Sequence, residues 1–549
     1  MSGTAKKPVR IWLILSIVII GGGVLYYAAL SPESFGRAHD DSIYVTTAKA
    51  LATGDGYRII SLPYEPAQTK YPPLYPFLLS LVWRLFPEFP ENLVPMMIMT
   101  IVATLSFLAA SYFYITRKRY SSEWQAVIVL ALAALNWRTV ALVATLYSEM
   151  VYAILSVLAL YLTEDYDEHD RSWGRGILAG VVIGLTFLTR SLGVTLLIAL
   201  AIHSIQRRRL KPALVPLAVG GAFVVGWAVW CYLNRTTADG SNVAYYTDYV
   251  GHINQVVTSL HLQSGTPKLL VLLGLVGRNM LMFLVISPVV VILGIDYGPA
   301  QYLGFVSLFF LAGFIRQVRQ EFRLLHIYML CYLLMASFVP FPAYDRYLIP
   351  ILPFVLMLMV SEASRSIALI RDGFARNGGS IKRVGAVFVG LALVISAAAI
   401  LYNHGSEILQ RIRTTSFRKT TRPAPEDSEA IAWINQHASS SDVLVCYHDP
   451  AYFLYTGRKS ARSLPMEEWV DWRENQGSME TVENLVFRTL ERDNAGYLIL
   501  TSADFEAEDQ TGQYQRIFSR IIDSHPDRFT AVFNSSDGRS RIFRVKNPE

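Results

Sequence analysis

Two adjacent carboxylates, Asp40 and Asp41, open the stretch "DDSIYVTTAKALATGDGY", which reads as a short amphipathic helix closed by Gly54 and Gly56. One carboxylate suffices to accept the free N–H groups of a helix start. A second charge so close to an apolar span adds repulsion, and at least one of the pair is therefore a candidate for chemistry. Such a pair could exchange a proton with a substrate or hold a divalent cation through oxygen ligands. Lys70 follows in "TKYPPLYPFLLSLVWRLF", either snorkelling at an interface or serving as a fixed cation. "FPAYDRYLIPILPF" sets Asp345, Arg346 and Tyr347 at the mouth between two apolar spans. An arginine there is costly unless it faces water, a partner charge or a ligand; a local Asp345–Arg346 pair is the plain alternative. Glu149 in "LYSEM" and Arg190 in "LTRSLG" also fall at span ends, where each is a structural partner for the other.

The elements that would position these residues are mostly membrane-spanning. The chain has 549 residues, of which 52% are hydrophobic and 17% charged, with a mean hydropathy of +0.33. Soluble domains carry roughly 25% charged residues. Apolar runs long enough for a hydrocarbon core of about 30 Å recur up to Tyr402. The expected spans are 11–30, 92–116, 124–144, 147–163, 174–190, 191–206, 212–234, 285–315, 324–341, 347–365 and 383–402. The stretch 265–316, broken by Arg278-Asn279, Pro288, Asp296 and Pro299, reads as a surface helix over 268–284 followed by one imperfect crossing. The helix over 69–86 is too short to cross comfortably and is expected to lie at the interface.

Lys6, Lys7 and Arg10, then Arg117-Lys118-Arg119, "QRRRLK" and the basic residues from Arg371 to Arg383 all fall on one side of this arrangement. The excess of Lys and Arg in cytoplasmic loops places the N-terminus inside, in a multi-pass cytoplasmic (inner) membrane protein. The first apolar run is long for a signal peptide and reads as an uncleaved anchor. The loop 31–91, the segment 235–267 and the C-terminal region are then extracytoplasmic. Residues 1–402 form the membrane domain and 403–549 a small soluble α/β domain, with strands at "VLVCY" and "GYLILTS" and a hairpin at Asp537-Gly538. The net charge of +6 gathers beside spans rather than on one domain face, so no nucleic-acid partner is expected. Cys231, Cys331 and Cys446 show neither a disulfide framework nor metal-ligand spacing, and "NRT" and "NSS" are triplets common by chance.

In order and sidedness, "DDSIYVTTAKAL", "KYPPLYPFLL", "RYLIPILPF" and "AYFLYTGRKS" resemble the motifs of GT-C glycosyltransferases of family 39. That family includes bacterial relatives of protein O-mannosyltransferases and the lipid A aminoarabinose transferase. The resemblance covers nearly the whole chain. It implies a mainly α, GT-C-like helical bundle of about 11–13 spans, and transfer of a sugar from a polyprenyl-phosphate donor to a hydroxyl or phosphate of a lipid, glycan or protein acceptor on the outer face of the membrane. Carried over residue by residue, Asp40 falls on the catalytic base and Asp41 on its acidic neighbour, where a glutamate is frequent. Tyr44, Lys70, Arg346 and Tyr347 fall on residues near the donor phosphate, while Ile43 stands where relatives carry arginine. Glu149 and Arg190 remain supporting residues. No cofactor is required by this chemistry, although the Asp pair leaves room for a divalent cation. A transporter or flippase for a lipid-linked sugar is the alternative, but it would need charges along the spans rather than at their outer ends. A non-catalytic scaffold or sensor displaying the C-terminal region is the third reading.

Overall fold

Helix packing without water between helices depends on close backbone approach, and one helix pair shows the device plainly. Gly176, Gly180 and Gly184 recur every fourth residue along the helix Trp173–Thr189, facing the helix Leu210–Leu233. A Cβ on Gly180 would lie 2.7 Å from Val219 Cβ, and one on Gly184 would lie 2.3 Å from the Phe223 ring. The computed structural model describes residues 7–37, 39–168, 172–235, 246–339, 343–375, 380–414, 427–464, 479–502, 504 and 513–546. They fall into two units: Met1–Leu30, Met97–Trp227 and Leu272–Thr415 form one, and Ser31–Met96, Ala228–Val271 and Ser416–Glu549 the other. The loop after the first span thus shares a unit with the C-terminal region, a grouping that a linear division of the chain at residue 402 does not express.

Among the described residues, six helices are long and apolar enough to cross a membrane: Ile11–Ala28, Leu93–Arg117, Leu210–Leu233, Lys268–Leu293, Tyr297–Gln320 and Tyr344–Leu369. Shorter apolar helices are Leu74–Leu85, Trp173–Thr189, Ser191–Gln206 and Leu324–Ala336. The span expected over 124–144 is a bent pair, Glu123–Ala134 and Trp137–Val143, meeting at 58°. Asn136 sits at the break: its Oδ1 accepts the Arg138 N–H at 3.0 Å and its Nδ2 donates to the Val291 carbonyl at 2.6 Å. Such substitutes are obligatory where a break exposes backbone groups at membrane depth.

The single crossing expected over 285–315 is corrected: the chain breaks at Gly294–Asp296 between Lys268–Leu293 and Tyr297–Gln320, two helices each long and apolar enough to cross a membrane. The features taken as breaks are absorbed. Asn279 is fully buried, donating to the Ser337 and Val339 carbonyls at 2.9 Å each and accepting from the Tyr344 hydroxyl at 2.7 Å. Pro288 follows a π-helical turn, Met282–Ile286, a bulge in which a missing N–H is accommodated without ending the helix. Asp296 and Pro299 mark the connection between the two helices.

In the other unit, the helix Asp40–Thr53 ends on Gly54 at φ 92° and packs along Leu74–Leu85. The C-terminal region holds a five-stranded sheet: β1 Val443–Cys446, β2 Ser460–Arg462, β3 Ala495–Thr501, β4 Phe529–Asn534 and β5 Ser540–Val545. Its order is β2-β1-β3-β5-β4, parallel across β2, β1 and β3 and antiparallel beyond. Both faces are covered, so strand residues alternate between two cores. Leu444, Cys446, Tyr497 and Ile499 meet the helix Ser428–His437, while Val445, Leu498 and Leu500 meet Met479–Arg492 and Gln513–Ser524. Gly538, at φ 70°, turns the β4–β5 hairpin expected at Asp537-Gly538.

Candidate active site

The two aspartates have different surroundings. Asp41 is 1% exposed; its carboxylate accepts the Gly36 N–H at 3.1 Å and the Ser42 N–H at 2.6 Å. It ties the entering loop to the first helical turn from inside the helix, and among the described residues no side chain caps that helix end. Asp40 is only half-buried, and its Oδ1 accepts the Tyr71 hydroxyl at 2.7 Å. The N-cap is His39, at φ 58° and ψ −52°, whose carbonyl accepts the Ser42 hydroxyl at 2.8 Å and the Ile43 N–H at 3.2 Å.

Tyr71 belongs to the "KYPP" segment, folded by one side chain. Gln68 Oε1 accepts the N–H groups of Lys70 at 2.9 Å and Tyr71 at 3.2 Å. The Gln68 carbonyl takes the Trp230 indole N–H at 3.0 Å, and Pro72-Pro73 then lead into Leu74–Leu85. Lys70, 8% exposed, places its ammonium 5.5 Å from the centre of the Tyr71 ring. Tyr44, 3% exposed, meets Tyr71 and Tyr75 edge-on, each at 5.0 Å between ring centres. Asp40, Tyr44 and Lys70 are therefore gathered about one tyrosine: a half-buried carboxylate, a buried cation and a wall of phenols.

The stretch "HDPAYFLYTGRKS" secures this loop from the C-terminal region. Its helix, Asp449–Thr456, packs on Asp40–Thr53. Gly36 lies at φ 92°, and a Cβ there would stand 2.6 Å from Ala451 Cβ, so only glycine fits the approach. Lys459 donates to the Ile60 carbonyl at 2.6 Å and pairs with Glu65, while the Ser460 N–H reaches the Ser61 carbonyl at 2.9 Å. Asp449 Oδ1 lies 3.1 Å from His39 Nε2 and accepts the Tyr246 hydroxyl at 2.6 Å. Burial pushes the Asp449 carboxyl up to about 7 and holds the His39 imidazole well below its ordinary value, with Arg462, His448 and Lys70 adding to the latter. His39, Tyr71, Tyr246 and Asp449 escaped the motif reading. His39 and Tyr71 border Asp40 and Lys70 in the chain, whereas Tyr246 and Asp449 carry no local signal.

The membrane-spanning unit holds the other candidates. Glu149, 1% exposed, is a carboxylate shared by two arginines: Arg190 reaches it at 2.6 Å, and Arg346 pairs with it through Nε. Arg346 stacks over the Tyr147 ring at 3.7 Å, and Arg190 lies 5.5 Å from the Tyr347 ring centre. Arg190 also donates to the Ser148 hydroxyl at 3.2 Å. The local Asp345–Arg346 ion pair does not form. Asp345 instead binds Arg138 at 2.7 Å and accepts only the backbone N–H of Arg346. Two guanidinium groups around one carboxylate leave a net positive charge with forks suited to phosphate oxygens. Among the described residues, no group of three or more His, Cys, Asp or Glu side chains is placed to hold a metal ion.

Residues 70–232 match the family model described as dolichyl-phosphate-mannose-protein mannosyltransferase. A search of curated protein sequences finds no match. Among solved structures, ArnT from Cupriavidus metallidurans bound to undecaprenyl phosphate is similar at 12% identity and a TM-score of 0.54, over 98% of each chain. The Archaeoglobus fulgidus oligosaccharyltransferase in complex with Zn and sulfate is similar at 14% identity and 0.54, over 96% of this chain and 73% of that one. The same enzyme tethered to an acceptor peptide gives 11% and 0.52, over 99% and 74%. The fold is the GT-C fold that the motifs imply: a multi-pass helical membrane protein with a small C-terminal sheet.

Proposed function

We propose that this chain is a membrane glycosyltransferase that moves a sugar from a polyprenyl-phosphate donor to an acceptor hydroxyl or phosphate. Asp40 takes the acceptor proton as the acceptor oxygen attacks the anomeric carbon. The bond from that carbon to the phosphate oxygen breaks, and polyprenyl phosphate leaves carrying the electron pair. A single displacement of this kind inverts the anomeric configuration. General-base help of this sort typically contributes about 10²–10⁴-fold. Lys70 and Tyr44, gathered with Asp40 about Tyr71, stabilise the departing phosphate, where fixed charges act most strongly as charge develops. The family resemblance assigns donor-phosphate contacts to Arg346 and Tyr347 as well. Glu149 and Arg190 keep the Arg346 guanidinium oriented. Asp41 anchors the loop.

The observation that carries this reading is the half-exposed Asp40 carboxylate held by Tyr71, with the buried Lys70 ammonium over the same ring. The similar ArnT structure, bound to undecaprenyl phosphate, and the match to a dolichyl-phosphate-mannose mannosyltransferase family support the donor class. The basic clusters support a cytoplasmic N-terminus in the inner membrane, with the site on the extracytoplasmic side. The acceptor is a lipid, a glycan or a protein. No metal is required by this scheme, and transfer in washed membranes is expected to survive chelation of divalent cations. The deciding experiment is mass spectrometry of envelope glycolipids and glycoproteins from cells with and without this chain. One species is expected to lose a pentose or hexose increment, and Asp40→Asn is expected to reproduce the loss with normal membrane insertion. A full increment in cells carrying Asp40→Asn would overturn the proposal.

A further inference from the structure

We infer that Asp449 and Tyr246 are positioning residues: they grip the His39 side chain and thereby hold the Asp40 carboxylate at its working height. The inference rests on Asp40 being the base, and it begins from backbone geometry. His39 is a non-glycine residue at φ 58° and ψ −52°, immediately before Asp40. Such conformations cost on the order of 1–3 kcal/mol and persist only where the surroundings over-determine them. Here the surroundings are two side chains from distant parts of the same unit. Asp449 Oδ1 binds His39 Nε2 at 3.1 Å, and Tyr246 donates to the same oxygen at 2.6 Å, its ring 5.7 Å from the imidazole. His39 is 6% exposed and Asp449 0%.

The grip reaches Asp40 through the backbone. The His39 carbonyl is the first acceptor of the helix that carries Asp40, taking bonds from Ser42 and Ile43. Relaxing His39 to an ordinary conformation would swing the first helical turn and move Asp40 relative to Tyr71. A buried carboxylate is an expensive way to fill space, since apolar residues of similar volume are often as stable or more so. Its presence fits a task that needs an acceptor at that point. The three residues come from before the first helix of the loop, from residue 246 and from the start of Asp449–Thr456, so the grip also makes Asp40 placement depend on the C-terminal region.

The test compares Asp449→Leu, Tyr246→Phe, His39→Gln and His39→Ala in the full chain, purified into nanodiscs. Hydrogen–deuterium exchange is read across the unit, and sugar transfer is read with lipid-linked sugars extracted from host membranes. Asp449→Leu, which removes the acceptor, and His39→Ala are expected to speed exchange in residues 39–53 while leaving β1 and β3 protected. Their maximal transfer rate should fall about 10²-fold, the scale of a misplacement near 1 Å, with the half-saturating donor concentration unchanged. His39→Gln, which keeps a donor at the Nε2 position, should recover most of the rate, and Tyr246→Phe should fall between. Unchanged exchange at 39–53, equal loss of protection in β1 and β3, or a His39→Gln no better than His39→Ala would overturn the inference. A wild-type chain that transfers no sugar would sink the glycosyltransferase reading instead, and the exchange data would still decide on the grip.

Discussion

Asp40 and Asp41 are neighbours of the same type, yet their environments divide the labour between them. Asp41 is satisfied by backbone N–H groups and sealed from solvent, which suits an anchor. Asp40 is only half-buried and binds the Tyr71 phenol, whose ring Lys70 also faces. Asp40→Asn should therefore remove transfer to the limit of detection, whereas Asp41→Asn, which retains one acceptor oxygen, should transfer measurably but unfold more readily. Radiolabelled sugar incorporation together with a thermal melt in detergent separates the two; equal loss of transfer in both would refute the division. A similar contrast holds for Arg346. Its guanidinium is shared between Glu149 and the face of Tyr147, a geometry that lysine cannot reproduce. Arg346→Lys keeps the charge but loses the fork, worth roughly 1.5–3 kcal/mol for a hydrogen bond to a charged group. The half-saturating donor concentration should rise by about tenfold or more, and an unchanged value would remove Arg346 from the phosphate.

At the scale of elements, the loop carrying Asp40 is fastened by a close approach, and one methyl group tests it. Gly36→Ala would put a Cβ 2.6 Å from Ala451 Cβ at φ 92°, and strained backbone of this kind costs roughly 1–3 kcal/mol. The variant should insert normally but show lower transfer and faster proteolysis within residues 31–56; unchanged cleavage would show that the loop is held elsewhere. Much of this architecture was legible beforehand because its causes are local. Gly54 closing a helix, Pro72-Pro73 starting one and Asp537-Gly538 turning a hairpin all act within a few residues. The helix Lys268–Leu293 was misread because Asn279 and Pro288 look like breaks until Ser337, Val339, Tyr344 and the π-helical turn are seen to satisfy them. The partners of Asp40 were hidden for the same reason. A 410-residue separation between His39 and Asp449 leaves no trace in hydrophobic period or turn chemistry. Which of two adjacent aspartates stays accessible is likewise decided by where Gly36 and Tyr71 arrive in space.

At the scale of the whole chain, the C-terminal region buries ionisable groups whose pH responses oppose one another. Burial raises the Asp504 carboxyl from 3.8 to about 7, with Asp427 adding to the effect and bonds from Thr501 working against it. The folded state then holds a proton that the unfolded chain has lost between pH 4 and 7, so this group's contribution is complete in acid and disappears as pH rises through 7. Burial, with Arg462 adding repulsion, lowers the His448 imidazole from 6.5 to about 3. The folded state there refuses a proton that the unfolded chain accepts, so stability is lost as pH falls below 6.5. The two slopes cancel over the shared window, which leaves the intact chain less sensitive to acid than its buried histidine alone would make it. Substitution should expose each slope separately. Relative to wild type, Asp504→Asn should melt further below at pH 5 than at pH 8, because it forfeits only the acid-side contribution. His448→Gln should do the reverse and compare best with wild type at pH 5. Thermal melts of the full chain in detergent at the two pH values measure both differences. A pH 5 to pH 8 difference of the same sign in the two variants would show that at least one of the groups does not titrate in the sense its burial dictates.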